Sequence, residues 1–199
     1  MKEKITIRQA HPDDAEAILE IYRPFILYTP VSFEMEVPSV EAYKDRIIRY
    51  QGKLPWLVCE IDHILAGYAY ANDHRQRKAY DCSKELSVYV HENYRHRGVA
   101  SGLYTALIGI LKHLGVTNVL AGIALPNPES VGFHERFGFK LVGIYHKIGY
   151  KLGKYHDAGW WELQIGDGQA PLVDIIPVSE LCDTKVWDEA MRHGLSLIN

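Results

Sequence analysis

The chain has 199 residues, 47% of them hydrophobic, and a formal net charge of −3. That length suits one domain, or one domain with an appendage, and the hydrophobic share supports a true core. The slightly negative balance gives no electrostatic case for nucleic acid or an anionic membrane as the main partner, and no apolar run is long enough to span a bilayer.

The opening residues Met1 to Arg8 read as a charged strand start, not a signal peptide. Ile5 and Ile7 alternate with polar neighbours, which predicts a strand over about 4–10. Asp13 is the expected cap of a helix whose buried stripe is Ala17, Ile18 and Ile21. Pro24 is expected to break or kink it, with a second piece running to about Tyr28. The stretch Tyr28 to Glu34 is an aromatic-rich loop, and Phe33 either pins it to the core or meets a ligand. Ser39 caps the next helix, with Tyr43, Ile47 and Ile48 at helical spacing and Gly52 at its end. Trp56–Ile61 and Ile64–Asn72 form a predicted hairpin about Asp62 and His63. Asp73 to Lys84 is polar and basic, which by default is a solvated loop.

Leu86, Val88 and Val90 alternate with Ser87, Tyr89 and His91, the pattern of a strand. A polar turn to Arg97 leads through Gly98 and Ala100 into Leu103, Leu107, Ile110 and Leu111, at helical spacing. A strand running through a basic, glycine-containing turn into a helix aims free backbone N–H groups at one spot, an anion site. A plain helix start with a tolerated glycine explains the same residues. No Gly-Lys-Ser/Thr follows, and Gly-x-Gly-x-x-Gly does not match, so neither a Walker loop nor a dinucleotide fingerprint is present.

The helix runs to about Leu114 and stops at Gly115. A strand over Val119–Ala124, a short helix over about Glu129–Phe137 and two strands, Phe139–Ile148 and Tyr155–Ile165, follow, the last two joined by a Gly- and Lys-containing loop. Hairpins mixed with strand–helix–strand units predict an α/β fold with a mixed sheet and helices on both faces. Asp167 to Pro171 reads as a linker, Leu172–Ile176 as a short strand, and Ser179 as the cap of a last helix holding Leu181, Val186, Trp187 and Met191. The three cysteines, Cys59, Cys82 and Cys182, are scattered and form no Cys-x-x-Cys pair. Neither a disulfide framework nor a metal is expected, and a reducing, cytoplasmic setting fits.

Arg95-x-x-Gly98-x-Ala100 resembles the acyl-CoA pyrophosphate loop of the GNAT N-acetyltransferases, Arg/Gln-x-x-Gly-x-Gly/Ala. The element order resembles that fold over about residues 4–165, leaving 166–199 as an extension packed on the domain or on a partner subunit. The resemblance implies a mostly antiparallel sheet splayed between its fourth and fifth strands. Asn127, Ser130, Gly138 and Phe139 match a second GNAT signature, with His134 where many members have a Tyr. With Glu85, the Val31–Glu34 loop and the segment Gly149-x-Lys151-x-Gly153-x-Tyr155-x-Asp157, this resembles the phosphinothricin and methionine sulfone/sulfoximine acetyltransferase branch. Tyr155 stands where that branch has Trp.

The branch implies acetyl-CoA as co-substrate, a small amino-acid-like amine as acceptor, direct transfer in a ternary complex, and a homodimer. Glu85 is then the base that takes the ammonium proton, or merely a strand-end carboxylate paired with Lys84 or Arg77. His134 protonates the thiolate or orients the amine, or is a helix-face histidine bonded to a carbonyl. Val88, Tyr89 and Val90 offer backbone to the pantetheine arm. Arg95, His96, Arg97, Gly98, Val99 and Ala100 hold the pyrophosphate, with charge from the two arginines and close approach at the small residues. Asn127, with Ser130, bonds the pantetheine amide or caps the following helix. Arg75 and Arg77 supply a carboxylate clamp, and Phe33 and Tyr80 cover the acceptor's methylene chain. An N-acetyltransferase for another small amine and a non-catalytic acyl-CoA sensor are the alternatives.

Overall fold

A computed structural model describes residues 3–166 and 174–199. Seven strands form one mixed sheet in the order β1-β2-β3-β4-β5-β7-β6. They are β1 (Ile5–Gln9), β2 (Trp56–Ile61), β3 (Ile64–Asp73), β4 (Ser83–Val90), β5 (Asn118–Leu125), β6 (Lys140–Lys151) and β7 (Lys154–Gln164). Every neighbouring pair is antiparallel except β4 with β5. That parallel pair holds only from Ser83 opposite Asn118 to Glu85 opposite Leu120. Beyond it, β4 continues along β3 and β5 along β7, so the sheet opens between them.

The helices are α1 (Ala15–Tyr28), α2 (Val40–Tyr50), α3 (Val99–His113), α4 (Pro128–Arg136) and α5 (Lys185–Leu195). Two cores result, one on each face. α1 and α2 bury Ile18, Tyr22, Ile26, Tyr43 and Ile47 against Trp56, Val58 and Tyr68. α3 buries Leu103, Leu107, Ile110 and Leu111 against Leu57, Cys59, Ala69 and Leu86. The near-continuous apolar run of β2 reflects this two-sided burial. Burial also pushes the Cys59 thiol up to about 12. No helix among the described residues is long and apolar enough to cross a membrane.

Several expectations are corrected. Pro24 does not break α1, which is one helix. Pro24 and Glu20 are exposed, so water satisfies the carbonyl that loses its partner, while Ile18, Ile21, Tyr22 and Ile26 hold the helix on the sheet. His11, not Asp13, caps the first turn: its Nδ1 accepts from the Asp13 N–H, and the Asp14 carboxylate accepts from the His11 N–H. The expected loop between the last strands is part of a longer hairpin. Leu152 and Gly153 (φ 51° and 77°) turn it as a two-residue connection. A bulge at Lys147 (φ 53°) hid the alternation upstream.

The linker at 167–171 and the first half of the short strand at 172–176 lie outside the described residues. Asp174–Pro177 forms no strand. Ser179 sits in a single 3₁₀ turn, and α5 is capped by Thr184, whose Oγ1 accepts from the Trp187 N–H. Left-handed Asp183 (φ 62°) separates the two, so Leu181 falls outside the helix.

Ile48 is 53% exposed, whereas its neighbour Ile47 is 1% exposed, because the buried face of α2 is only one residue wide there. Ile47→Ala is therefore expected to cost about 2–5 kcal/mol, and Ile48→Ala to stay within about 0.5 kcal/mol. Urea denaturation of the two variants checks this, and equal losses would contradict the placement.

Candidate active site

The gap between β4 and β5 continues into a cleft of about 620 Å³. Phe25 and Val31 line it from the α1 side, and Tyr104, Phe133 and His134 from the α3 and α4 side. The cleft thus passes through the sheet. Along it, the β5-facing edge of β4 beyond Glu85 has no ladder partner among the described residues. Such N–H and C=O groups need a partner, and an extended ligand supplies one.

At the far end of β4, Tyr94, Arg95, His96 and Gly98 wrap the cleft and lead into α3. His96 and Gly98 are both left-handed, with φ of 61° and 81°. No side chain caps α3, so its first N–H groups are open to the cleft. Val88, Tyr89, Val90, Arg95, His96, Gly98, Val99, Ala100, Asn127, Ser130 and His134, all expected site residues, line the cleft. The Tyr89 ring is committed elsewhere, packing edge-on against Tyr22 and Phe25 at 4.8 and 5.1 Å, so only its backbone is free for a ligand. Asn127 Oδ1 accepts from the Ser130 N–H at 3.1 Å, which makes it the cap of α4 as well as a wall residue.

Arg97 departs from expectation. Its guanidinium turns away from the cleft to the Glu3 carboxylate and the Asn199 carbonyl, and adds no charge to the loop's open side. The small residue at 98 also has a different cause. A Cβ there would lie 1.9 Å from the Leu197 carbonyl oxygen, on the side away from the cleft.

Glu85 occupies the last position at which β4 pairs with β5; it does not itself line the cleft, whose first wall residue on β4 is Leu86. The Glu85 side chain is 28% exposed, and its Oε1 lies 2.7 Å from His74 Nδ1. Lys84 is not its partner, since Nζ donates to Asp73 Oδ1 at 2.7 Å. His74 packs edge-on against Trp160 at 5.6 Å and Tyr80 at 6.2 Å. Arg75 stands over the Tyr80 ring at 5.5 Å, with Nε 3.5 Å from His74 Nε2. His74, Arg75, Tyr80 and Glu85 are thus gathered beside the last β4–β5 pair, outside the residues that line the cleft. Arg77 is exposed at the head of the 3₁₀ turn Lys78–Tyr80.

Sequence reasoning missed His74. Its one signal was its place at the end of a strand paired with β4, where Asn72 faces Glu85. Tyr104 was also missed as a cleft residue, since its helical spacing reads as core. Its hydroxyl lies 3.0 Å from His134 Nε2, while His134 Nδ1 lies 2.7 Å from the Ser130 carbonyl. The carbonyl only accepts, so the proton sits on Nδ1, and Nε2 accepts from the Tyr104 hydroxyl. Burial holds the His134 imidazole below its ordinary value and therefore neutral. His134 is thus a carbonyl-bonded histidine in the cleft wall.

Phe33 does not line the cleft. It packs on β6, where a Cβ at Gly149 would lie 2.5 Å from its ring. Lys151 Nζ donates to the Ser32 carbonyl at 2.5 Å, and Asp157 Oδ1 accepts from the Lys147 N–H at 2.7 Å. Three residues of the Gly149–Asp157 segment therefore fix the Val31–Glu34 loop and the β6 bulge.

Comparison with known proteins follows the same lines. The model of the acetyltransferase (GNAT) domain matches residues 7–160. The chain is 35% identical over 177 residues to a phosphinothricin N-acetyltransferase of Streptomyces viridochromogenes, covering 89% of this chain and 96% of that protein. It is 29% identical to the L-methionine sulfoximine/L-methionine sulfone acetyltransferase of Salmonella typhimurium, covering 84% and 98%. A crystal structure of a GNAT superfamily phosphinothricin acetyltransferase from Sinorhizobium meliloti, in complex with AcCoA, superimposes with a TM-score of 0.81 at 30% identity, covering 87% and 96%. The splayed sheet, the loop at its open end and the matched domain agree, and the chain belongs to the GNAT acetyltransferase family.

Proposed function

We propose that this enzyme transfers the acetyl group of acetyl-CoA to the amino group of a small amino-acid-like acceptor such as phosphinothricin, methionine sulfone or methionine sulfoximine. The observation that carries this reading is the half-buried Glu85 at the closed end of the gap, one strand length from the anion loop. In the proposed complex the pantetheine arm lies along Val88–Val90, and the pyrophosphate meets the N–H groups of Gly98, Val99 and Ala100. Both extremes of the slot are then occupied, with the thioester near Glu85. The names of the relatives, phosphinothricin N-acetyltransferase and methionine sulfoximine/methionine sulfone acetyltransferase, support the acceptor class.

An α-ammonium group has no lone pair to offer. Glu85, directly or through a water, takes its proton. The amine nitrogen then attacks the thioester carbonyl carbon and a C–N bond forms; as the C–S bond breaks, the nitrogen gives up its second proton, which ends on the departing sulfur, so that CoA leaves as the thiol. His74 donates from Nδ1 to one Glu85 oxygen and leaves the other for that proton. Transfer is direct, in a ternary complex. Neutral His134, bonded at Nδ1 to the Ser130 carbonyl and accepting from the buried Tyr104 hydroxyl at Nε2, fixes that wall of the cleft and is not a standing proton donor. Arg75 and Arg77 bring positive charge for the acceptor's acidic groups, and Tyr80 covers its chain.

We also infer a homodimer in a cytoplasmic setting. The β6–β7 hairpin supports the first: Leu141, Val142, Tyr145, Ile148 and Tyr150 on the edge strand β6, and Tyr155 beside them on β7, are all more than half exposed. The free thiols of Cys59, Cys82 and Cys182 suit the second.

Three predictions test this reading. In a thiol-release assay with acetyl-CoA, phosphinothricin, methionine sulfone and methionine sulfoximine are expected to be acetylated faster than simple alkylamines. Glu85→Gln is expected to lower kcat at neutral pH about a hundredfold or more, with the loss shrinking at high pH as the amine deprotonates unaided. CoA binding without thiol release from any amine would turn the reading towards a sensor, and unchanged turnover in Glu85→Gln would remove Glu85 from the mechanism. Light scattering is expected to give twice the mass of one chain, and Ile148→Lys to give one chain. A monomeric wild type would dismiss the dimer.

A further inference from the structure

α5 lies beyond the residues matched to the acetyltransferase domain. Ala190 and Met191 bury into the α3 core, and at Gly194 the two helices meet main chain to main chain. A Cβ at Gly194 would lie 2.5 Å from the Gly102 carbonyl oxygen, and one at Gly102 would lie 2.7 Å from the Gly194 carbonyl oxygen. Any side chain at either position forces the helices apart. Further along, Gly109 faces Ala190: a Cβ at Gly109 would lie 3.5 Å from the Ala190 Cβ, an ordinary contact. Gly102, Ala106 and Gly109 share one face of α3, so the closest approach falls on the first turn of that helix. That is the turn into which the anion loop runs.

Past α5 the chain turns and passes behind the loop. The Leu197 carbonyl occupies the place where a Gly98 side chain would stand. The Asn199 N–H donates to the Arg97 carbonyl at 3.0 Å, and Arg97 Nε donates back to the Asn199 carbonyl at 2.8 Å. Ile198 is buried in the α3 core. Arg97 is held further by Glu3 and lies 5.8 Å over the Tyr94 ring. Between these contacts and the cleft stand left-handed His96 and Gly98, conformations that an unsupported chain leaves readily.

We propose that Leu195–Asn199, carried on α5, is a positioning brace for acetyl-CoA. It holds Arg97 and Gly98 from behind, so that the N–H groups at the start of α3 keep their aim at the pyrophosphate. The inference rests on the reading of Arg95–Ala100 as the cofactor loop. Donors fixed before the ligand arrives need no ordering when it binds, and a loosened loop loses that advantage. The reacting atoms lie at the other end of β4, so the brace acts on cofactor affinity and leaves the chemical step alone. Arg97, Gly98, Gly102, Gly194 and Asn199 are therefore positioning residues.

The test uses the full chain with Gly194→Leu, which wedges α5 from α3, and Asn199→Pro, which removes the N–H given to Arg97. Glu189→Ala, on the exposed face of α5, is the control. CoA affinity is measured by calorimetry, kcat and both KM values by thiol release, and folding by circular dichroism. Gly194→Leu is expected to raise the CoA Kd and the acetyl-CoA KM about tenfold, equivalent to about 1.4 kcal/mol. Asn199→Pro is expected to raise them in the same direction by a smaller factor. In both, kcat at saturating acetyl-CoA and the KM of the amine stay near the control. If Gly194→Leu does not fold, Asn199→Pro decides. Folded variants that bind CoA as the wild type does, or that lose kcat or amine affinity instead, overturn the brace. Failure of the wild type to bind CoA overturns the cofactor loop itself, which separates the two.

Discussion

The parting of β4 from β5 is the constraint on which the rest of the molecule depends. The two strands pair at three positions and then separate, each held by its other neighbour. A sheet that opens this way leaves a row of main-chain groups without partners in a partly dry slot. Leaving them so is costly, and an extended molecule with its own amide groups is a natural filling. The flanking helices cannot close the gap, because α1 on one face and α3 with α4 on the other are already committed to separate cores. The slot is thus a consequence of the topology, and it fixes a length as well as a place.

That length gives β4 two functional ends. At the open end, the strand passes through left-handed His96 and Gly98 into an uncapped helix start, which favours negative charge. At the closed end, Glu85 stands beside the last paired residues, with one oxygen held by His74. In the proposed complex a rigid strand between them sets how far the thioester lies from the anchoring charge. Small side-chain placements then refine each end. Trp160 and Tyr80 frame His74 at one, and the chain beyond α5 backs Gly98 at the other.

Much of this was legible in the sequence, and the reasons for the exceptions are physical. The β4–turn–α3 unit was plain, because the apolar period changes from two to about 3.6 across a polar turn. The hairpin of β6 and β7 was cut short because a single bulged residue, Lys147, shifts the alternation. Pro24 misled because the carbonyl it orphans faces water. His74 was hidden in a basic run that looks solvated, and only the pairing of β3 with β4 carries it to Glu85. Gly98 was read as room for a phosphate. Its missing side chain instead makes room for Leu197, 99 positions away, a contact that no local pattern encodes. Arg97 was assigned to the same anion from its position in the turn, and it is taken by Glu3 and Asn199.

In the proposed complex the unpaired edge of β4 and the start of α3 together receive the cofactor. Hydrogen exchange read by amide, with and without saturating CoA, tests it most directly. Slowed exchange is expected within Val88–Val90 and Gly98–Ser101, with Leu57–Ile61 unchanged because that stretch is already paired with β1 on one side and β3 on the other. Confirmed CoA binding with no protection in those two stretches would contradict it.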